Sequence, residues 1–196
     1  LNAYTSFDET VYHFEVPANE IKLALWIESE RMRKLHVESA GVETQRGVVK
    51  EERKNRNDNT PYGTSFEKLF KNLFGGGSYS WTPIGSAQHI DVATIAEFKE
   101  FYNKFYEPNN ATLVIAGDFY SKMYREYVDA YFGIYPKGKD IKREDFKLPE
   151  LTSEYRETIE DTKAQLPAVY IGYRGPKKGD PDAYAMEMLN DILSTG

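Results

Sequence analysis

The sequence contains no cysteine, which removes disulfides, thiolate metal sites and a cysteine nucleophile together. The same absence leaves the redox compartment unread. Histidine is scarce: His13, His36 and His89 stand far apart, with no metal-ligand spacing among them. His13 lies on a strand-like stretch, facing away from Tyr12 and Phe14, and His36 closes a helical one, where the dipole favours its charged form. A structural or capping role fits each of the three. No apolar run approaches the roughly 20 residues that a membrane helix needs. No serine–histidine or phosphate-loop pattern is present either. Gly75-Gly76-Gly77 lacks the following Lys-Ser/Thr and succeeds a helix rather than a strand, so it reads as turn glycine. Positive charge is in deficit, with a net charge of −6, and this speaks against nucleic acid as a partner. A starting methionine is missing, and Leu193-Ser194-Thr195-Gly196 resembles a helix C-cap with nothing following. Both ends read as cut.

What is present is an ordinary globular composition over 196 residues, 40% hydrophobic and 29% charged, enough for one large domain or two small ones. Residues 10–16 alternate Val11, His13 and Glu15 against Tyr12, Phe14 and Val16, the period of a strand. Pro17 opens a helix with the apolar stripe Ile21, Leu25, Met32 and Leu35. A heavily charged helix follows over about 42–57, and Asn-Asp-Asn-Thr-Pro at 57–61 should interrupt it. Helix resumes through Phe66, Leu69, Phe70 and Leu73 and stops at the glycine run, with loop over 75–88. Thr94 and Glu97 form a capping box ahead of Ile95, Phe98, Phe101, Tyr102 and Phe105. Residues 111–116 read as a buried strand, and 121–132 as a helix closed by Gly133.

From 134 to 154 the period disappears among lysines, acids and two prolines, as in a linker. Two strands are expected near 155–160 and 167–173. A helix then starts from Asp180 as N-cap with Pro181 in its first turn. The strands are too few for a barrel, so the pattern gives an α+β fold, a layered mixed or antiparallel sheet with helices.

One cluster calls for weighing. Glu43, Glu51 and Glu52 sit among Arg46, Lys50, Arg53, Lys54 and Arg56. A solvated helix face laced with pairs such as Glu52–Arg56 explains them. Yet Glu52 lies three and four residues beyond Val48-Val49, on one side of the helix, and could point inward. An inward carboxylate must be paired or bound to a metal.

Several stretches resemble the M16 zinc peptidases, the inverzincin family of pitrilysin and mitochondrial processing peptidase. Leu1-Asn2-Ala3-Tyr4-Thr5-Ser6 with Thr10-Val11-Tyr12 resembles the segment downstream of that family's zinc motif. Gln45-Arg46-Gly47-Val48-Val49-Lys50-Glu51-Glu52 resembles its Glu-Arg-x-Val-Val-x-x-Glu stretch, whose last glutamate is the third zinc ligand. Arg31-Met32, Ile84-Gly85, Phe101-Tyr102, Tyr106-x-Pro108-Asn109-Asn110 and Val114-Ile115-Ala116-Gly117-Asp118 follow in the family's order over nearly the whole chain.

The resemblance implies a parent metalloendopeptidase that hydrolyses peptide bonds in extended or unfolded polypeptides with zinc as cofactor. The family's inverted His-x-x-Glu-His helix is not in this sequence and is expected upstream of Leu1. Of the ligand set only Glu52 carries over, so the chain alone is expected to be inactive. Gln45 stands where the family often has a second acid that orients the ligands; it can hydrogen-bond but adds no charge. Asn2, Ala3, Tyr4 and Thr5 resemble the edge strand that binds the substrate backbone. Tyr4 would line a side-chain pocket, though a core aromatic on an alternating strand reads equally well.

The family's repeat implies residues 1–136 as the later part of a zinc-binding domain, 137–154 as linker and 155–196 as the start of a second, non-catalytic domain. The final helix carries no histidine, and its Met188, Leu189 and Ile192 are expected in a core. The implied partners are a second M16 domain or a second subunit. A non-catalytic structural or partner subunit of the same family is the alternative, and an unrelated α+β module a third reading. The compartment stays unknown, with a periplasmic or otherwise extracytoplasmic site as a guess.

Overall fold

The computed structural model describes residues 1–118, 120–143 and 146–194. It is helix-rich with one small antiparallel sheet, an α+β arrangement. The chain forms two compact units, Leu1–Asn55 with Pro83–Phe146 and Arg56–Thr82 with Lys147–Gly196.

The first unit opens with a hairpin. Strand β1 (Asn2–Thr5) pairs with β2 (Thr10–His13), with Ala3 opposite Tyr12 and Tyr4 opposite Val11. Ser6 N–H donates to Glu9 O at 2.8 Å and closes the turn. The strand signal at 10–16 thus ends at His13. A 3-10 turn, Ala18–Glu20, leads into α1 (Ile21–Arg33), where Ala24, Leu25 and Ser29 are buried. Leu25 is only 2% exposed, and the buried Ser29 hydroxyl is satisfied by Trp26 O at 2.8 Å. Leu35, expected on this stripe, lies beyond the helix end and is exposed. His36 also lies past that end, with Nδ1 3.3 Å from Glu38 rather than over the helix terminus.

Next come α2 (Ser39–Arg53), α4 (Ala87–Val92), α5 (Ile95–Phe105) and α6 (Ser121–Phe132), with α3 belonging to the second unit. Helix α5 starts from the expected capping box: Glu97 N–H donates to Thr94 Oγ1 and Thr94 N–H to Glu97 Oε2. The bonds that the Glu97 carboxylate accepts from the Thr94 N–H and hydroxyl hold it below its ordinary pKa. Helix α4 lies partly inside the stretch expected as loop. It is capped by Ser86, whose Oγ accepts from His89 N–H at 3.2 Å. Helix α1 packs on α6, where buried Tyr124 donates to Ala18 O.

After α2, a π-helical turn at Lys54–Asp58, which runs from the first unit's residues into the second's, and irregular backbone through Thr64 interrupt the helix where the Asn-Asp-Asn-Thr-Pro run stands. Helix α3 (Ser65–Phe74) ends at Gly75, whose φ of +39° is the left-handed conformation that suits glycine. Phe66 meets Tyr170 edge-on at 5.8 Å. Gly172 lies so close to α3 that an added Cβ would stand 2.7 Å from Leu73 Cδ1. The unit closes with α7 (Pro181–Ser194).

Three expectations fail. Residues 111–116, 155–160 and 167–173 are not strands. A strand exists through its ladder, and among the described residues only β1 and β2 pair. Val114 and Val169 are accordingly exposed rather than buried. Met188, Leu189 and Ile192 of α7 are likewise exposed, Met188 by 68%, because no described element packs over that face. Residues 134–154 form no helix or strand among those described.

Candidate substrate strand and metal-ligand helix

Antiparallel pairing puts Asn2, Tyr4, Val11 and His13 on one face of the hairpin and Ala3, Thr5, Thr10 and Tyr12 on the other. The second face is anchored through Tyr12. Its hydroxyl is 2.5 Å from that of Tyr106, and the Arg31 guanidinium lies over its ring, 4.2 Å from the centroid. Burial, and then the bond to Tyr12, push the Tyr106 hydroxyl well above the ordinary tyrosine pKa. Tyr102 joins the end of α1 to α5, donating to Arg31 O at 2.7 Å and accepting from Leu35 N–H at 3.1 Å. The Arg33–Glu107 pair, at 2.8 Å, adds a charged tie in which Glu107 is buried.

The first face is open. Tyr4 is 53% exposed in this chain, and its ring centroid lies 6.3 Å from that of His13. All four residues Asn2, Ala3, Tyr4 and Thr5 are exposed. Strand β1 pairs only with β2 among the described residues, so every second residue turns its N–H and C=O away from the hairpin. Asn2 Oδ1 accepts from Ala3 N–H at 2.8 Å.

Helix α2 is held by its basic side chains. Arg46 donates to Ala93 O at 2.8 Å, Lys50 pairs with Asp91 at 2.6 Å, and Arg53 donates to Gly85 O. Residues 46, 50 and 53 share one face of the helix. That spacing was visible in the sequence, but its partners at 85–93 were not. Glu43 and Glu51 form the surface pairs instead, with Arg46 and Lys54 three residues on.

Glu52 sits half-buried in the last turn of α2, beside half-buried Val49, whereas Val48 is 54% exposed. Gln45 is exposed on the same face, two turns or about 10 Å earlier along the axis. The contacts that define α2 are with α4, and those that define β1 are with β2. His36 and His89 stand elsewhere, on the loop after α1 and on α4.

Family models decide the kinship. "Insulinase (Peptidase family M16)" matches residues 1–82, and "Peptidase M16 inactive domain" matches residues 93–196, more than half of the chain. The chain belongs to the peptidase M16 family. Among curated M16 relatives, zinc protease PqqE of Helicobacter pylori is 29% identical over 197 residues, covering 100% of this chain and 44% of that protein. Probable zinc protease PqqL of Escherichia coli is 33% identical over 125 residues, 62% of this chain and 13% of that protein. The chain therefore spans less than half the length of these relatives. Among solved structures, a protease from Helicobacter pylori superposes with a TM-score of 0.66 at 33% identity, over 72% of this chain and 34% of that one. The first half of the periplasmic protease PqqL from Escherichia coli gives 0.67 at 26% identity, over 76% and 32%.

An M16 zinc needs three protein donors with a position left open. Among the described residues no three His, Asp or Glu side chains come together as a metal site. The Glu52 carboxylate is a suitable donor type, but it is one donor.

Proposed function

We propose that this chain is the portion of a zinc-dependent metalloendopeptidase that contributes one metal-ligand carboxylate, Glu52, and the strand on which an extended peptide is laid, Asn2–Thr5. The two histidines and the glutamate between them would come from a His-x-x-Glu-His helix outside these residues. When bound there, the zinc would lower the pKa of a water molecule to make it a nucleophile near neutral pH. The observation that carries the reading is the half-buried Glu52 on a helix clamped through Arg46, Lys50 and Arg53. A metal ligand needs that fixity, and a solvated charge does not.

The remaining residues have simpler tasks. The outward backbone groups of β1 would hydrogen-bond an extended or unfolded polypeptide as an added strand. Asn2 would release Ala3 N–H to the substrate, and Tyr4 would flank the side chain before the scissile bond. Gln45 would orient the ligand shell by hydrogen bonding, without charge. Residues 1–136 would then close a zinc-binding domain, 137–154 link, and 155–196 begin a second, non-catalytic M16 domain. That domain or a second subunit is the partner. The similarity to the periplasmic protease PqqL from Escherichia coli supports a periplasmic or otherwise extracytoplasmic parent.

The test uses the full-length protein. Chelator-sensitive cleavage of an unstructured peptide should fall at least about 100-fold in Glu52→Gln while thermal unfolding is unchanged. A fully active variant removes Glu52 from the metal. A full-length protein that cleaves nothing with zinc present is instead the non-catalytic subunit of the family. The 196-residue chain by itself should be inactive, and zinc-dependent cleavage by it would overturn the single-ligand assignment.

A further inference from the structure

The Tyr4–His13 pair performs no role in the anchoring of the hairpin, because Tyr12 does that from the opposite face. Both rings are exposed, and they lie diagonally across β1 and β2 with planes tilted by 58°. A tyrosine alone on an exposed two-stranded ribbon samples several staggered positions about its first torsion. Contact with a second ring limits those positions. Strand β2 ends at His13, so the histidine ring sits at the last rung of the ladder, opposite Asn2.

We propose that His13 is a specificity-determining residue that acts through Tyr4, holding its ring as a platform for a large apolar or aromatic substrate side chain; this rests on the reading that β1 receives the substrate. A strand added to the free edge of β1 would have its own side chains alternate, with one set on the Tyr4 face. The residue directly opposite Tyr4 would lie about 5 Å from it, within reach of an aromatic cross-strand contact. The platform offers a ring face flanked by the Asn2 carboxamide, with no acid on the hairpin's Asn2–Tyr4–Val11–His13 face. Burying apolar area against that ring gives a large apolar or aromatic side chain its gain. His13 lies on the far strand and does not meet the substrate itself. Its role is positional.

The experiment compares kcat/KM of the full-length protein on two unstructured peptides that differ only in Phe or Ala before the cut. Wild type should favour Phe. In His13→Ala that preference should shrink about five-fold, and His13→Phe, which keeps a ring at this place, should restore it. A Phe-to-Ala ratio unchanged in His13→Ala, or a loss equal for both peptides and not rescued by His13→Phe, overturns the proposal. Failure of the underlying reading looks different. There Tyr4→Ala would leave the ratio of both peptides at its wild-type value, or wild type would cleave neither, and His13 falls with it.

Discussion

Residues 10–13 and 167–173 are both rich in β-branched and aromatic residues, yet only the first forms a strand. The partner of 10–13 lies on the other side of a turn of four residues, Ser6 to Glu9, so closing that loop costs little entropy. Its inward ring, Tyr12, then finds Tyr106 and Arg31. The segment 167–173 has Tyr170 and Gly172 against α3, but Val169 and Tyr173 are 83% and 86% exposed, and among the described residues no strand pairs with it. Such a composition shows that a segment can be a strand. A neighbour makes it one.

The contrast between a tied region and an open one can be broken or sharpened by substitution in this chain. The largest effect should come from Leu25→Ala, which hollows the buried face of α1 and should cost about 3 kcal/mol in chemical unfolding. A loss under about 1 kcal/mol would mean that the first unit is no better packed than the second.

Tyr106→Phe should cost about 1.5 kcal/mol, since Tyr12 keeps a half-buried hydroxyl without its partner. The same variant carries a pH signature. The folded state holds the Tyr106 proton above its ordinary pKa of about 10. Its contribution is therefore complete below about pH 10 and is lost as the pH rises from there. Unfolding measured from about pH 9 to 11 should show a steeper loss in wild type than in Tyr106→Phe.

Thr94→Ala, which opens the capping box of α5, should cost about 1 kcal/mol. The smallest effect belongs to the open region. Ile192→Ser on α7 should change stability by no more than about 0.5 kcal/mol. A loss of about 2 kcal/mol there would show that the face is covered, and the comparison would fail.

Much of the helical framework was legible because its signals are local. The capping box at Thr94, the glycine stop at 75 and the charged helix over 42–57 depend on residues within a few positions of one another. Kinship was legible for a related reason: the order of short motifs survives in the linear chain. The site was legible only by resemblance. Composition and spacing left Glu52 between a solvated face and an inward carboxylate, and no spacing rule points to Tyr4 beside His13.

The sequence by itself determined where α5 starts, where α3 and α6 stop, and which family this chain belongs to. These follow from backbone geometry, side-chain period and motif order. Only the tertiary structure decided which segment of strand-like composition became a strand. It also half-buried Glu52, left Val48 and α7 exposed, and made Arg46, Lys50 and Arg53 the clamps of α2. Each of those outcomes depends on groups distant in sequence, such as Gly85, Asp91 and Ala93 for the clamps. A contact of that kind has no energy until the chain brings both partners together, so no local pattern records it.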